Sequence, residues 1–365
     1  MTANRHVVLV GGGHAHLHVV RAAASLHGAG AQVTLVAPRY FWYSGLATAV
    51  VGGSREPAED RIDLAELTQR CGVHWHDGSV TSVRANERKL VLDDGRVLDY
   101  DVASFNIGSE VDLPEPLPSD PRLWPVKPIA GLARLRAELC SQRRDSPLRV
   151  TVVGGGPTGC EVMGNLAGLA RREGLDVRLT LCHAGDRLLP DAPAGAARRV
   201  AANLQGRGVT LRAGCRLGFT DTGEARLDEA PAEADYLVAA TGLRAVGLAR
   251  TLGATSDGIP VTATLQHPQY PTLFAVGDCA HFLPRPLPRV GVFGVRQAPI
   301  LQVNLAAALN EGVLRAYHPQ RRYLTILNLG DGTGLALRGR WWWHGRLMLA
   351  WKHRLDRDFL QRQRC

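Results

Sequence analysis

The sequence predicts an α/β protein built from two parallel-sheet units, the second inserted into the first, with a separate C-terminal segment. Three observations carry that prediction: a strand, glycine turn, helix and strand pattern that occurs twice, a similar apolar strand closing each copy, and a third such strand late in the chain that the first copy does not match. The 365-residue chain exceeds one typical domain, and 45% hydrophobic against 21% charged residues suits a large buried core rather than a disordered chain.

The first copy opens with the apolar strand His6 to Val10 and the turn Gly11-Gly12-Gly13, and a helical stretch leads to the short strand Val33 to Val36. Lys89 to Leu92, the turn Asp93-Asp94-Gly95 and Arg96 to Leu98 read as a β-hairpin. Tyr100-Asp101-Val102-Ala103 closes the unit before Ile107-Gly108-Ser109, and Pro114, Pro116, Pro118, Pro121 and Pro125 mark a linker. The second copy runs from Val150 through Gly154-Gly155-Gly156 to the strand Val177 to Leu181, and closes with Tyr236 to Ala240 before Thr241-Gly242-Leu243. Thr272 to Val276, ending in Gly277-Asp278, is the unmatched strand, and the simplest topology returns it to the first sheet. Residues 1–115 and 260–320 then make the first domain, 116–259 the inserted one and 321–365 the C-terminal segment.

A strand followed by Gly-x-Gly-x-x-Gly and a helix cradles a phosphate, because the glycines permit a tight turn and close backbone approach while the helix N-terminus adds partial positive charge. Gly154, Gly156 and Gly159 complete the pattern in the second copy. The first copy has Gly11 and Gly13, but His16 replaces the third glycine, so helix and strand must pack less closely or the turn must rearrange. Both units are thus Rossmann-like dinucleotide-binding domains. Neither has the acidic residue that holds a ribose: Val36 is followed by Ala37-Pro38-Arg39, and Leu181 by Cys182-His183, with Arg178 and Arg187 near in sequence. A neutral or positive residue there leaves room for a 2′-phosphate, so NADH and NADPH both stand. On a helix His14 and His18 share a face and His16 points away, so the three read as polar residues at a phosphate-facing helix start and no metal site is expected.

Gly11 to His16, Arg39 to Gly45, Gly154 to Glu161, Leu273 to Asp278, Gly291 to Pro299 and Leu327 to Gly332 together resemble the two-dinucleotide-binding-domain flavoproteins. Within them the chain looks like type II NADH dehydrogenases and the dehydrogenase-like flavoprotein sometimes fused in front of selenophosphate synthetase. The resemblance implies FAD in the interrupted domain, NADH or NADPH in the inserted one, and hydride transfer through flavin to a quinone-like acceptor. It implies flavin contacts at Gly11, Gly13, His14, Ala15, Arg39, Ser44, Val80, Gly108, Gly277 and Asp278, with Gln297 and Ala298 opening a helix whose N-terminus faces the flavin N1/O2 edge. For the nucleotide it implies Gly154, Gly156, Pro157, Thr158, Gly159, His183 and Gly242. Glu161 matches a glutamate near nicotinamide and flavin, and its plain alternative is a carboxylate favoured by the helix dipole. Lys127, one of only three lysines, is either a charge donor to flavin or quinone or a solvated linker residue. Glu161, Gln297 and Lys127 are the catalytic candidates.

The seven cysteines are scattered, with none in Phe41 to Thr48 and no close pair in sequence, which disfavours disulfide reductases, zinc sites and a disulfide framework. A sulfide:quinone oxidoreductase needs separated cysteines that meet at the flavin, so Cys160, Cys279 and Cys365 keep that alternative open. Cys160 is either a thiolate at a helix start or a small packing residue. A regulatory protein that holds FAD without hydride transfer is the second alternative, motivated by His16 and the missing carboxylates. Phe41, Trp42 and Tyr43 either line an acceptor pocket or belong to the core.

No run approaches 18 apolar residues, and the strand at His6 leaves no room for a signal peptide, so a cytoplasmic protein is expected. Of the net charge of +9, residues 315–365 carry +8, with eleven Lys and Arg against three Asp, and four of the seven Trp. No nucleic-acid module accompanies this charge. Leu347, Trp351, Leu355 and Phe359 recur at four-residue steps among Arg346, Lys352, Arg354 and Arg357. They describe a basic amphipathic helix that either rests peripherally on the inner face of the cell membrane or docks on the protein body. A homodimer is also compatible with the sequence.

Overall fold

The computed structural model describes residues 5–115, 119–142, 146–252 and 257–364. Pro116, Pro118 and Cys365 lie outside them. The β-branched run of the first strand, β1 (Arg5–Val10), is buried from Val7 onward because helices cover both faces of its sheet. Next come α1 (His14–Arg21), β2 (Ala31–Val36), α2 (Ser44–Val51), β3 (His74–His76) and β4 (Val102–Phe105). The second unit holds β5 (Leu123–Pro125), β6 (Leu148–Val153), α3 (Pro157–Glu173), β7 (Val177–His183), β8 (Thr210–Ala213) and β9 (Tyr236–Ala239). The chain returns as β10 (Leu273–Ala275) and α4 (Gly291–Leu309), then ends in β11 (Thr325–Asn328), β12 (Gly334–Arg338), β13 (Trp341–Gly345) and α5 (Arg346–Arg364).

Two five-stranded parallel sheets result, ordered β10-β4-β1-β2-β3 and β5-β9-β6-β7-β8. The returning strand β10 joins the first sheet, with Leu273 beside Ala103. Its equivalent in the second sheet is β5, inside the segment the prolines mark as linker. Pro125 is tolerated there because β5 is an edge strand, where a missing N–H breaks no ladder on the outer side. Where the chain crosses between sheets, Ser109–Val111 pairs antiparallel with Leu243–Ala245. The 89–92 and 97–99 hairpin forms, and 80–84 adds a third strand.

The C-terminal segment is part of the body. Leu327, Leu329 and Leu335 are buried in the second core, and Leu360 of α5 in the first. The three tryptophans lie on a strand, so they alternate: Trp341 and Trp343 are exposed and stacked, with ring centroids 6.4 Å apart, while Trp342 turns inward over Gly195. On α5 the four-residue stripe does not stay on one face. Twelve residues of α-helix carry a side chain about 120° around the axis. Leu347 (79% exposed), Trp351 and Leu355 therefore face outward, whereas Phe359 stacks on Tyr43 at 4.6 Å. The helix end is fastened by Arg364, whose guanidinium donates to the Glu59 carbonyl at 2.8 Å, and by Arg70, which donates to the Arg364 carbonyl at 2.6 Å.

Between these anchors Asp60 is 1% exposed, and its Oδ1 has no hydrogen-bond partner among the described residues. Burial pushes its carboxyl up to about 7, against the opposing charge of Arg61. From about pH 4 to 7 the folded protein keeps a proton that the unfolded chain releases, so this group makes stability fall as pH rises, by at most about 1.4 kcal/mol per pH unit. Asp60→Asn is expected to remove that slope. Its thermal midpoint should gain on the unsubstituted protein from pH 4 to 7 and hold the gain above pH 7, and parallel midpoint curves would disprove the assignment.

Candidate active site

Asn106, at the end of β4, organises the first glycine turn. Its Nδ2 donates to the Val276 carbonyl and its Oδ1 accepts from the Ala15 N–H, both at 2.9 Å. Its backbone N–H donates to Val10 at 2.8 Å and its carbonyl accepts from Gly13 at 3.2 Å. A Cβ on Gly11 (φ +89°) would sit 2.6 Å from that carbonyl, and one on Gly13 would run into the amide, so only glycine fits either position. The Ala15 N–H is spent on Asn106 and so is not free for a phosphate oxygen. The N–H groups of Gly12 and His14 have no protein acceptor among the described residues.

His16 fills the place of the missing glycine with a fully buried ring, its Nδ1 2.6 Å from the Gly11 carbonyl and its Nε2 2.9 Å from Ser104 Oγ. The ring of His14 packs on Phe41 at 5.0 Å and Phe359 at 5.4 Å. Burial lowers both imidazoles to about 4, so they are neutral near pH 7. His18 pairs with Gln302. Among the described residues, one group has atoms close enough to share an ion, His76, Asp93 and Asp94, and Ser79 and Arg96 already occupy its carboxylates.

A cavity of about 390 Å³ opens between this turn, the end of β2 and the three-stranded hairpin sheet, and Tyr40, Phe41, Trp42, Val80 and Gly108 line it. Arg39 does not. Its guanidinium pairs with Asp63 at 2.9 Å, and Asp63 caps helix Leu64–Arg70. Tyr43 turns away from Phe41 and Trp42 toward α5, so the three aromatics do not line one pocket.

A second cavity, about 330 Å³, is lined by Gly277, Asp278, Arg289, Phe293 and Gln297. Lys127 Nζ donates to Asp278 Oδ2 at 2.8 Å and to Ser109 Oγ at 2.7 Å, and the Ser109 hydroxyl donates to the same Oδ2 at 2.9 Å. Burial alone would push the Asp278 carboxyl up, but the Lys127 charge and these hydrogen bonds hold it below its ordinary value. Asp278 Oδ1 has no partner among the described residues. Lys127 is thus a paired cation, not a solvated linker residue. Gln297 and Ala298 do not open α4, which starts at Gly291, nearly two turns earlier. Proline favours a first turn, yet Pro299 sits inside the helix, where it forfeits one bond. Gln297 Oε1 instead accepts from the Gly277 N–H at 2.7 Å and fixes the turn after β10.

In the second turn a Cβ on Gly154 (φ +135°) would run into the Ala240 carbonyl, and one on Gly159 into that of Gly154, while Gly156 is unobstructed before Pro157 and Thr158. A cavity of about 340 Å³ is lined by Gly154 to Gly156, His183, Arg187, Arg216 and Thr241. Gly242 follows at the crossing, its carbonyl accepting from Asp112. Arg178 lies at the start of β7, about 16 Å along the strand from His183, and takes no part. Cys160 donates to the Gly155 carbonyl and burial pushes its thiol up to about 12; Cys279 is likewise buried and raised to about 11. Both are packed thiols.

Glu161 faces the C-terminal segment. Its Oε1 accepts from the Asn328 N–H at 2.8 Å, and burial raises its carboxyl against the charge of Lys352. Lys352 donates to the Gly45 carbonyl at 2.6 Å, just beyond Ser44 at the start of α2, and to Asp356 at 3.0 Å; Asp356 accepts from the Tyr43 hydroxyl at 2.9 Å. Sequence reasoning missed Asn106, Lys352 and Asp356. A helical i, i+4 Lys–Asp pair in a segment otherwise rich in arginine was the available signal for the last two.

The model of the pyridine nucleotide-disulphide oxidoreductase family matches residues 5–301. A type II NADH:quinone oxidoreductase of Mycobacterium tuberculosis is 29% identical over 202 residues, half of this chain and 42% of that protein, so the match spans less than half of the relative. One of Staphylococcus saprophyticus is 22% identical over 91% of this chain and 89% of its own. Among solved structures, NDH2 of Plasmodium falciparum in complex with NADH has a TM-score of 0.79 at 14% identity, covering 99% and 97% of the two chains. The sulfide:quinone oxidoreductase of Aquifex aeolicus has a TM-score of 0.77 at 15% identity, covering 99% and 91%. With its family match running from β1 into α4, across both glycine turns, the chain belongs to the pyridine nucleotide-disulphide oxidoreductase family.

Proposed function

We propose that the chain is an FAD-dependent NAD(P)H oxidoreductase whose electron acceptor is a quinone. The observation that carries this is the pairing of a glycine cradle with a part-buried, Lys127-held Asp278 carboxylate whose second oxygen has no partner among the described residues. That set fits a flavin dinucleotide: Gly12 and His14 offer N–H groups to a pyrophosphate, and Asp278 Oδ1 accepts from a hydroxyl. FAD bound in the unit formed by residues 1–115 and 260–320 would supply hydride acceptance from NAD(P)H in unit 116–259 and onward two-electron transfer. Lys127 keeps Asp278 ionised and oriented, and Gln297 fixes Gly277. Glu161, which the resemblance sets near nicotinamide and flavin and whose carboxyl burial raises, is the residue we assign to proton delivery toward the acceptor. The relatives named as NADH:quinone oxidoreductases support the choice of acceptor.

No described helix is long and apolar enough to cross a membrane. We place the protein peripherally on an anionic bilayer, through Leu347, Trp351 and Leu355 with the exposed Trp341, Trp343, Arg346 and Arg354 around them.

Anaerobic addition of NADH or NADPH to the purified yellow protein should bleach the flavin absorbance; absence of bleaching with both would sink the oxidoreductase reading. Glu161→Gln retains the oxygen that accepts from Asn328, so bleaching should stay within about twofold while quinone turnover drops by roughly 10²-fold and loses its pH dependence. Unchanged quinone turnover would remove Glu161 from the proton route. Leu347→Asp with Trp351→Asp should abolish cosedimentation with phosphatidylglycerol vesicles at low salt without altering bleaching. Failure of the unsubstituted protein to cosediment, or a dimer in sedimentation that the substitutions dissolve, would overturn membrane contact.

A further inference from the structure

The nucleotide cavity is unusually basic for a site meant to grip an unphosphorylated ribose. In a dinucleotide-binding unit the residue at the end of the second strand decides what meets the adenosine ribose: a carboxylate there accepts from the 2′-hydroxyl, and an arginine nearby accommodates a 2′-phosphate. Here β7 ends at His183, which is buried on the cavity wall with Nδ1 lacking a hydrogen-bond partner among the described residues. Two arginines from separate loops converge on the same cavity, Arg187 after β7 and Arg216 after β8. Among the described residues, no Asp or Glu lines it. The Arg216 guanidinium has no acceptor among the described residues, while its backbone N–H is held by Asp228 at 2.9 Å, which sets where the side chain starts. Arg187 is steadied by the Pro190 carbonyl, also on the cavity wall.

We propose that the nucleotide is NADPH, with Arg187 and Arg216 holding its 2′-phosphate, a reading that rests on the nicotinamide-nucleotide site proposed above. Two guanidiniums offer charge-assisted, forked hydrogen bonds to a phosphate dianion and have no comparable partner in a ribose hydroxyl. His183 Nδ1 adds a polar atom on the same wall, where a carboxylate would repel the phosphate.

Titration calorimetry of the holoprotein with 2′,5′-ADP and with 5′-AMP tests this without turnover. The unsubstituted protein should bind 2′,5′-ADP at least tenfold more tightly. Arg187→Ala and Arg216→Ala should each cut that ratio about tenfold and leave the 5′-AMP affinity within about twofold, with Arg216→Lys keeping part of the preference. A ratio near one in the unsubstituted protein, or one that survives the double substitution, would overturn the proposal. Bleaching separates it from the reading it rests on. Faster reduction by NADH than by NADPH would defeat the nucleotide preference alone, whereas no reduction by either defeats the oxidoreductase reading and leaves the 2′,5′-ADP comparison to stand on its own.

Discussion

Three strand ends of the first sheet are referred to one buried amide. Asn106 accepts from the first turn of α1, donates to the end of β10, and through its backbone joins β1 to the glycine turn. A leucine there would strand two buried backbone groups, each costing about 1–3 kcal/mol. It would also lose the fixed spacing between the turn after β1 and Gly277, where a Cβ would sit 2.7 Å from Asn106 Nδ2. The placement of Asp278 one residue later, and with it the Lys127 and Ser109 contacts, depends on that spacing.

The two copies meet the same steric demand by different means. In the second, Gly159 lets the helix backbone press directly on Gly154. In the first, a neutral His16 ring occupies the position of the missing glycine and is held there by two hydrogen bonds. His16 is therefore a structural substitution and gives no ground for regarding the first turn as degenerate. Cys160 and Cys279, beside the turns, are likewise packed thiols that donate to backbone carbonyls and that burial raises.

The C-terminal segment serves two surfaces at once. Its inner side brings Lys352, Asp356 and Phe359 to Tyr43, Gly45 and the flank of Glu161, so it completes the wall behind the start of α2. Its outer side leaves a leucine and tryptophan stripe uncovered. The split follows from the mismatch between a four-residue repeat and a 3.6-residue turn.

What the sequence determined by itself was the periodic and the local: two strand–glycine–helix units, the inserted order, the hairpin, the basic Trp-rich end, and the glycines whose backbone no other residue can adopt. These are legible because strand alternation, apolar runs and positive φ each depend on a few neighbouring residues. Only the tertiary structure decided that Arg39 and Ala15 are consumed by Asp63 and Asn106, that α4 begins at Gly291, that β5 lies within the apparent linker, and that Arg216, not Arg178, joins Arg187. Each of these turns on partners tens to hundreds of residues apart, or on where along a strand or helix a side chain emerges. Hydrogen bonding in a packed interior is settled by which groups the whole fold leaves without water, and no window of sequence contains that information.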